Sequence, residues 1–183
     1  MKPLKLLFLF MLFTTSGAQA QWEVQLDVQN FTPLDRIFFL DENYGWTIGG
    51  GPYFYTSDGG QNWYLSDDLW DIQGTDIAFI NPDTGFIASK NGIIYKTVNG
   101  GQNWTEIQTP ATQEVMRLFF VDENNGWATF QYNSGKLLRT IDTGNTWELK
   151  SCMEIEESGV NVIFFLNDTV GFGGGQLLTE ILI

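Results

Sequence analysis

The chain has a single cysteine, Cys152, and no histidine. One cysteine excludes an internal disulfide, so folding after export would not rest on disulfides, and a lone cysteine reads as a small buried apolar residue. Basic residues are scarce: 9 Lys and Arg stand against 22 Asp and Glu, a net charge of −13. That balance argues against nucleic-acid binding, which leaves a basic footprint, and makes anionic membranes poor partners. Beyond the first twenty residues no apolar run approaches the roughly twenty needed to cross a bilayer, and helical periodicity is missing throughout. What the chain does have is aromatic residues, 15% of 183, enough to build the core of one domain.

Residues 1–20 form a separate object. Lys2 and Lys5 precede an apolar run from Leu6 to Phe13 and a small-residue end, Ala18-Gln19-Ala20. This is the pattern of a secretory signal peptide, with cleavage expected after Ala20, no membrane insertion afterwards, and a periplasmic or extracellular destination. No cysteine stands at that cleavage site, which argues against bacterial lipid anchoring.

One eight-residue stretch organises the remaining 21–183. Thr56-Ser57-Asp58-Gly59-Gly60-Gln61-Asn62-Trp63 returns as Thr97-Val98-Asn99-Gly100-Gly101-Gln102-Asn103-Trp104 and as Thr140-Ile141-Asp142-Thr143-Gly144-Asn145-Thr146-Trp147. Around it runs a longer unit. Apolar runs at Ile37–Leu40, Ile77–Ile80, Leu118–Val121 and Ile163–Leu166 read as short strands covered on both faces. Each leads to a turn ending in glycine (Gly45, Gly85, Gly126, Gly171) and then an aromatic (Trp46, Phe86, Trp127, Phe172) that opens a second strand. A third strand enters the box and a fourth carries its Trp.

Four strands joined by tight turns, recurring about every 40 to 45 residues, describe a propeller blade. The expected fold is therefore all-β: a partial β-propeller of four-stranded antiparallel blades, about three complete and a fourth in part. Gln21–Leu26 resembles a last strand, while a fourth box is due past Ile183. Two endings follow: closure as a small four-bladed ring through that N-terminal strand, or truncation at the C-terminus, which is favoured because the fourth unit degenerates at 176–180.

The shared pattern Thr-x-(Asp/Asn)-x-Gly-x-x-Trp resembles the Asp-box, or BNR, repeat, which its family places at the hairpin between third and fourth strands. Its positions here are Thr56, Asp58, Gly60, Trp63; Thr97, Asn99, Gly101, Trp104; and Thr140, Asp142, Gly144, Trp147. Asn99 fills the Asp position without charge, so the common requirement is a hydrogen-bond acceptor in a locked turn, and a structural role is expected rather than a metal or catalytic one. The wider unit is similar to the domain of the photosystem II assembly and stability factors. That resemblance implies a non-enzymatic scaffold that binds a protein partner, with no cofactor and no metal.

Candidate binding positions lie just before each apolar run, where inner-strand ends would meet a central channel: Arg36, Asp76 and Arg117, with Val162 breaking the series. The competing function is a fragment of a sialidase-like Asp-box glycoside hydrolase. The chain has only three arginines to hold a substrate carboxylate, Arg36, Arg117 and Arg139. Arg139 reads as an outer-surface residue, and no Tyr/Glu nucleophile pair can be placed. The acidic clusters Asp67, Asp68, Asp71 and Glu154, Glu156, Glu157 read as solvated loops without the spacing of a calcium loop.

Overall fold

The computed structural model describes residues 33–51, 53–66, 72–151 and 159–176. The leader at 1–20, the strand at Trp22, Cys152 and both acidic clusters lie outside those residues. The repeat folds as one meander written three and a half times. β1 (Leu34–Phe39), β2 (Gly45–Gly49), β3 (Phe54–Thr56) and β4 (Tyr64–Leu65) pair antiparallel in chain order. So do β5 (Gly74–Phe79), β6 (Gly85–Ser89), β7 (Ile93–Thr97) and β8 (Thr105–Gln108), and then β9 (Val115–Phe120), β10 (Gly126–Phe130), β11 (Lys136–Thr140) and β12 (Glu148–Ser151). β13 (Gly159–Phe165) and β14 (Gly171–Gln176) form a two-stranded fragment. First strands are neighbours: β1 packs on β5, β5 on β9 and β9 on β13. The all-β blades expected from the repeat are what the chain forms.

The core lies between blades. One apolar cluster joins Trp46, Ile48 and Tyr53 of the first sheet to Ile77, Phe79 and Ile87 of the second. Another joins Phe86, Ala88 and Ile94 to Val115, Leu118, Ala128, Leu138 and Trp147, and a third joins Trp127 and Leu137 to Val160. A sheet inside such a stack is covered on both faces, and the strand that shows it is the second: every residue of β2, β6 and β10 is buried. The expectation that the first strands are doubly buried holds at Ile77, Ala78 and Phe79 of β5 but not along β1. β1 alternates half-buried and exposed along its length, because no sheet precedes it among the described residues.

Each turn between first and second strands closes the same way. Oδ1 of Asp41, Asn81, Asp122 or Asn167 accepts the backbone N–H groups two and three residues on, at 2.8–3.1 Å. The glycine ending the turn has a reason the sequence did not show. The ring of Phe39, Phe79, Phe120 or Phe165 lies over its paired glycine, so a Cβ at Gly45, Gly85, Gly126 or Gly171 would sit 2.4–2.6 Å from a ring carbon. A small residue is needed for space, not for a left-handed backbone. Gly126→Ala is therefore expected to destabilise by about 1–3 kcal/mol through overpacking, read from a denaturant midpoint shift.

Candidate functional site at the inner-strand ends

The boxes come first, because they hold the site's frame. In each, the buried Thr hydroxyl accepts the N–H of the second glycine (Gly60 2.9 Å, Gly101 3.0 Å, Gly144 2.9 Å) and donates to Oδ1 of Asp58, Asn99 or Asp142 at 2.8–2.9 Å. The same Oδ1 accepts the N–H four residues on, from Asn62, Asn103 or Thr146, each at 2.9 Å. Asn99 performs these bonds as Asp58 and Asp142 do. The turn needs a positive φ at two successive positions, 70° and 84° at Gly59 and Gly60, and Thr143 accepts the first at 57°.

Each box is tied to its own blade and, where one precedes it, to the blade before. Gly59, Gly100 and Thr143 donate their N–H to the carbonyls of Asn43, Asp83 and Asn124 at 2.8–3.2 Å, clamping both hairpin ends together. Trp46 Nε1 donates to Gly100 O at 3.1 Å and Tyr53 Oη to Gly101 O at 2.5 Å, so the second box sits on the first blade. Lys96 Nζ donates to Thr143 O and Asn145 Oδ1 at 2.6 and 2.8 Å, seating the third box on the second blade. Arg139, the counterpart of Lys96, is not the outer-surface residue expected. It is half-buried with its guanidinium 5.1 Å over the Trp127 ring, and its Nε, like Trp127 Nε1, has no hydrogen-bond partner among the described residues.

The carboxylates titrate accordingly. The side-chain and backbone N–H groups of Asn62, then the Thr56 hydroxyl, hold Asp58 below its usual 3.8. Burial pushes Asp142 up, but hydrogen bonds from Thr146, Thr140 and Asn145 outweigh it and the net shift is down. A carboxyl depressed on folding adds stability that is present above its unfolded value and lost as pH falls through its folded one. Stability should thus decline as the pH drops below about 4. Asp58→Asn keeps the bonds made by Oδ1 but loses the one Oδ2 accepts from Asn62 Nδ2, so it should lower the neutral-pH midpoint slightly and flatten that acid decline, as a pH series of thermal melts would show.

The three expected rim residues are brought together by a β-bulge repeated in every first strand. Register shifts fall between Leu34 and Arg36, Gly74 and Asp76, Val115 and Arg117, and Val160 and Val162. A bulge re-aims side chains at a strand end. Here it turns Asp35, Thr75 and Met116 toward a cavity of about 590 Å³, lined also by Arg36, Arg117, Lys90 and Glu114. Arg36 and Arg117 are held alike: each Nη1 donates to the carbonyl of the bulged residue before it, Asp35 O at 2.9 Å and Met116 O at 2.8 Å.

Asp76 plays a different part. Its Oδ2 accepts the Leu118 N–H at 2.9 Å, its Oδ1 lies 3.9 Å from Arg36 Nε, and it is absent from the cavity lining. Burial pushes its pKa up, against the Leu118 N–H and the charges of Arg117 and Arg36. It is a strut between blades, bonded to the Leu118 backbone on one side and paired with Arg36 on the other. Val162, the next in the series, is exposed and contributes no charge. Asp35, Thr75 and Met116 were missed from sequence, though their signal is the constant offset of one residue before each charged position; Lys90 and Glu114, also in the lining, have no such offset. Among the described residues no cluster of potential metal ligands occurs.

Stacked four-stranded Asp-box sheets with inner-strand ends around a cavity define a β-propeller of the Asp-box class. The family described as photosynthesis system II assembly factor YCF48 matches residues 14–111 and 69–149, and the chain belongs to that family. The photosystem II assembly lipoprotein Ycf48 of Synechococcus sp. (strain CC9902) is 29% identical over 140 residues, 73% of this chain and 41% of the relative. The structure of YCF48 from Cyanidioschyzon merolae superposes with a TM-score of 0.61 at 15% identity, over 78% of this chain and 48% of that one. YCF48 bound to a D1 peptide gives 0.50 at 18% identity, over 82% and 63%. An ancestral GH74 enzyme gives 0.62 at 12% identity over 22% of its chain, a likeness of fold alone. The chain thus spans about two fifths of the curated relative and about half of the first solved one.

Proposed function

We propose that this chain is an exported, non-enzymatic scaffold that holds a segment of a protein partner at the mouth formed by its first-strand ends. The observation that carries the reading is the cavity itself. Three of the chain's nine cations, Arg36, Lys90 and Arg117, line a space of about 590 Å³ in a molecule of net charge −13, beside only Asp35 and Glu114. A cationic cleft on an acidic body selects an acidic or carboxylate-bearing segment and repels other surfaces. A bound D1 peptide in a YCF48 structure makes a peptide the natural class of ligand. Arg36 and Arg117 would grip it, and Asp76 would keep the Arg36 guanidinium in place. Export rests on the leader at 1–20, with Cys152 the sole cysteine.

The test is a fluorescence-anisotropy titration of the full chain with labelled D1-derived and acid-rich peptides. Binding should weaken at least about tenfold in Arg36→Glu or Arg117→Glu and fall with salt, as for a charge-assisted contact. Affinity unchanged by both substitutions would overturn the assignment. Turnover of fluorogenic glycosides would support the hydrolase reading instead.

A further inference from the structure

The link between β10 and β11 holds a residue that its backbone does not suit. Tyr132 has φ 57°, in the left-handed region where a bulky side chain is an outlier. The same place in the repeat, two residues past the end of the second strand, is Gly51 in the first sheet and Asn91 in the second. Asn91 is left-handed too, at φ 62°, and asparagine tolerates that conformation while glycine adopts it freely. Of the three sheets, the third alone puts an aromatic there. Its ring is 79% exposed, so burial does not compensate for the strain.

The loop around it is well bonded and borders the cavity. Asn133 makes four hydrogen bonds, Lys136 donates its N–H to Asn133 O at 2.9 Å, and Gln131 donates its N–H to Glu114 O at 2.8 Å. The last bond sets Tyr132 one residue from the cavity wall, which Glu114 lines. In the other two sheets the same link supplies Gly50 and Lys90 to that lining, and the third sheet adds Met116 beside Arg117. Strain kept at a cavity rim on an exposed ring, in a loop bonded firmly enough to hold it, is the pattern of a preorganised ligand contact.

We infer, resting on the reading of the cavity as a peptide cleft, that Tyr132 is a specificity-determining contact of that cleft. Its ring receives an apolar side chain of the bound peptide, next to the acidic group that Arg36 and Arg117 hold. The ligand class is thereby narrowed to a segment in which an apolar residue adjoins an acidic one. Tyrosine suits the place, since it offers a large face with few rotatable bonds to fix on binding. Such a contact adds affinity that salt does not screen, whereas the arginine contacts weaken as salt rises.

The experiment titrates the full chain and its Tyr132→Asn, Tyr132→Gly and Tyr132→Phe variants with two labelled acid-rich peptides, at low and high salt. One peptide carries leucine beside its acidic residues and the other serine, and each variant is also melted. Tyr132→Asn and Tyr132→Gly relieve the backbone, so their thermal midpoints should hold or rise by up to about 4 °C. The leucine peptide should bind both about tenfold more weakly, equally at low and high salt. Tyr132→Phe should bind it within about twofold of the unaltered chain, and the serine peptide should not distinguish the variants. Lower midpoints in Tyr132→Asn and Tyr132→Gly would show a ring packed within the protein, and unchanged affinity for the leucine peptide would show a ring that does not touch the ligand. Either result overturns the proposal. Arg36→Glu separates the two readings: weakened binding there with all Tyr132 variants silent removes this contact alone, while no binding of either peptide to the unaltered chain removes the cleft and the contact together.

Discussion

Replacing Trp147 with alanine should cost about 3–5 kcal/mol of unfolding free energy, the range for truncating a buried large aromatic. Trp147 is 7% exposed, meets Phe120 edge to face at 6.1 Å, and sits in the cluster joining the second and third blades. Its homologue in the first box, Trp63, is half-buried against Phe39, with no sheet before it among the described residues, so Trp63→Ala should cost clearly less. The contrast separates two origins of the effect. If the box Trp mattered only to its own hairpin, the two substitutions would match; if its worth comes from burial between blades, they differ. Trp147→Phe sharpens the test, since Trp147 Nε1 has no hydrogen-bond partner among the described residues for the substitution to remove. That variant should lose no more than about 1.5 kcal/mol. A chemical denaturation series on the three variants decides the matter.

The second large effect is expected at Asn133. This side chain is buried in the link between β10 and β11 and makes four hydrogen bonds. Nδ2 donates to Phe130 O at 2.9 Å and Val160 O at 2.8 Å, and Oδ1 accepts the N–H of Val160 at 3.0 Å and of Gly135 at 3.2 Å. Two of those bonds reach β13, so one amide ties the two-stranded fragment to the third blade. Asn133→Leu keeps the branched shape and number of heavy atoms, though it is bulkier, and leaves two N–H groups and two carbonyls without it. Unpaired buried groups cost about 1–3 kcal/mol each, and partial relaxation brings the expected total to about 3–5 kcal/mol. The loss should also be local: hydrogen exchange should rise through β13 and β14 while β5 to β8 stay protected. A uniform rise across all sheets would mean that the fragment is not held by this residue.

The parts of the fold readable from sequence were those that recur. Thr56, Thr97 and Thr140, their glycines and their tryptophans return three times, and the turn glycines four times, because every blade needs the same hairpin and the same clearance. The physical reason for Gly45 and its homologues was hidden, since turn glycines suggest a left-handed backbone and the real constraint is a ring folded back from the preceding strand. Features used once left no pattern. Asn133 has no counterpart, and Arg139 looked like surface because its repeat-mates Tyr55 and Lys96 gave no hint of a tryptophan beneath it. The rim was half visible: Arg36 and Arg117 stood out as charges, but the bulge that turns Asp35, Thr75 and Met116 into the same cavity is a feature of register that no residue type announces.

The central claim is that each box locks its own hairpin and gains its strength by docking on the blade before it. Amide hydrogen exchange at Gly60, Gly101 and Gly144 tests this most directly, since each N–H donates to a buried threonine hydroxyl while only the second and third boxes meet a preceding blade among the described residues. Gly101 and Gly144 should exchange among the slowest amides of the protein, with Gly60 measurably faster. Exchange of all three at the rate of exposed turn amides, or Gly60 as slow as the other two, would contradict it.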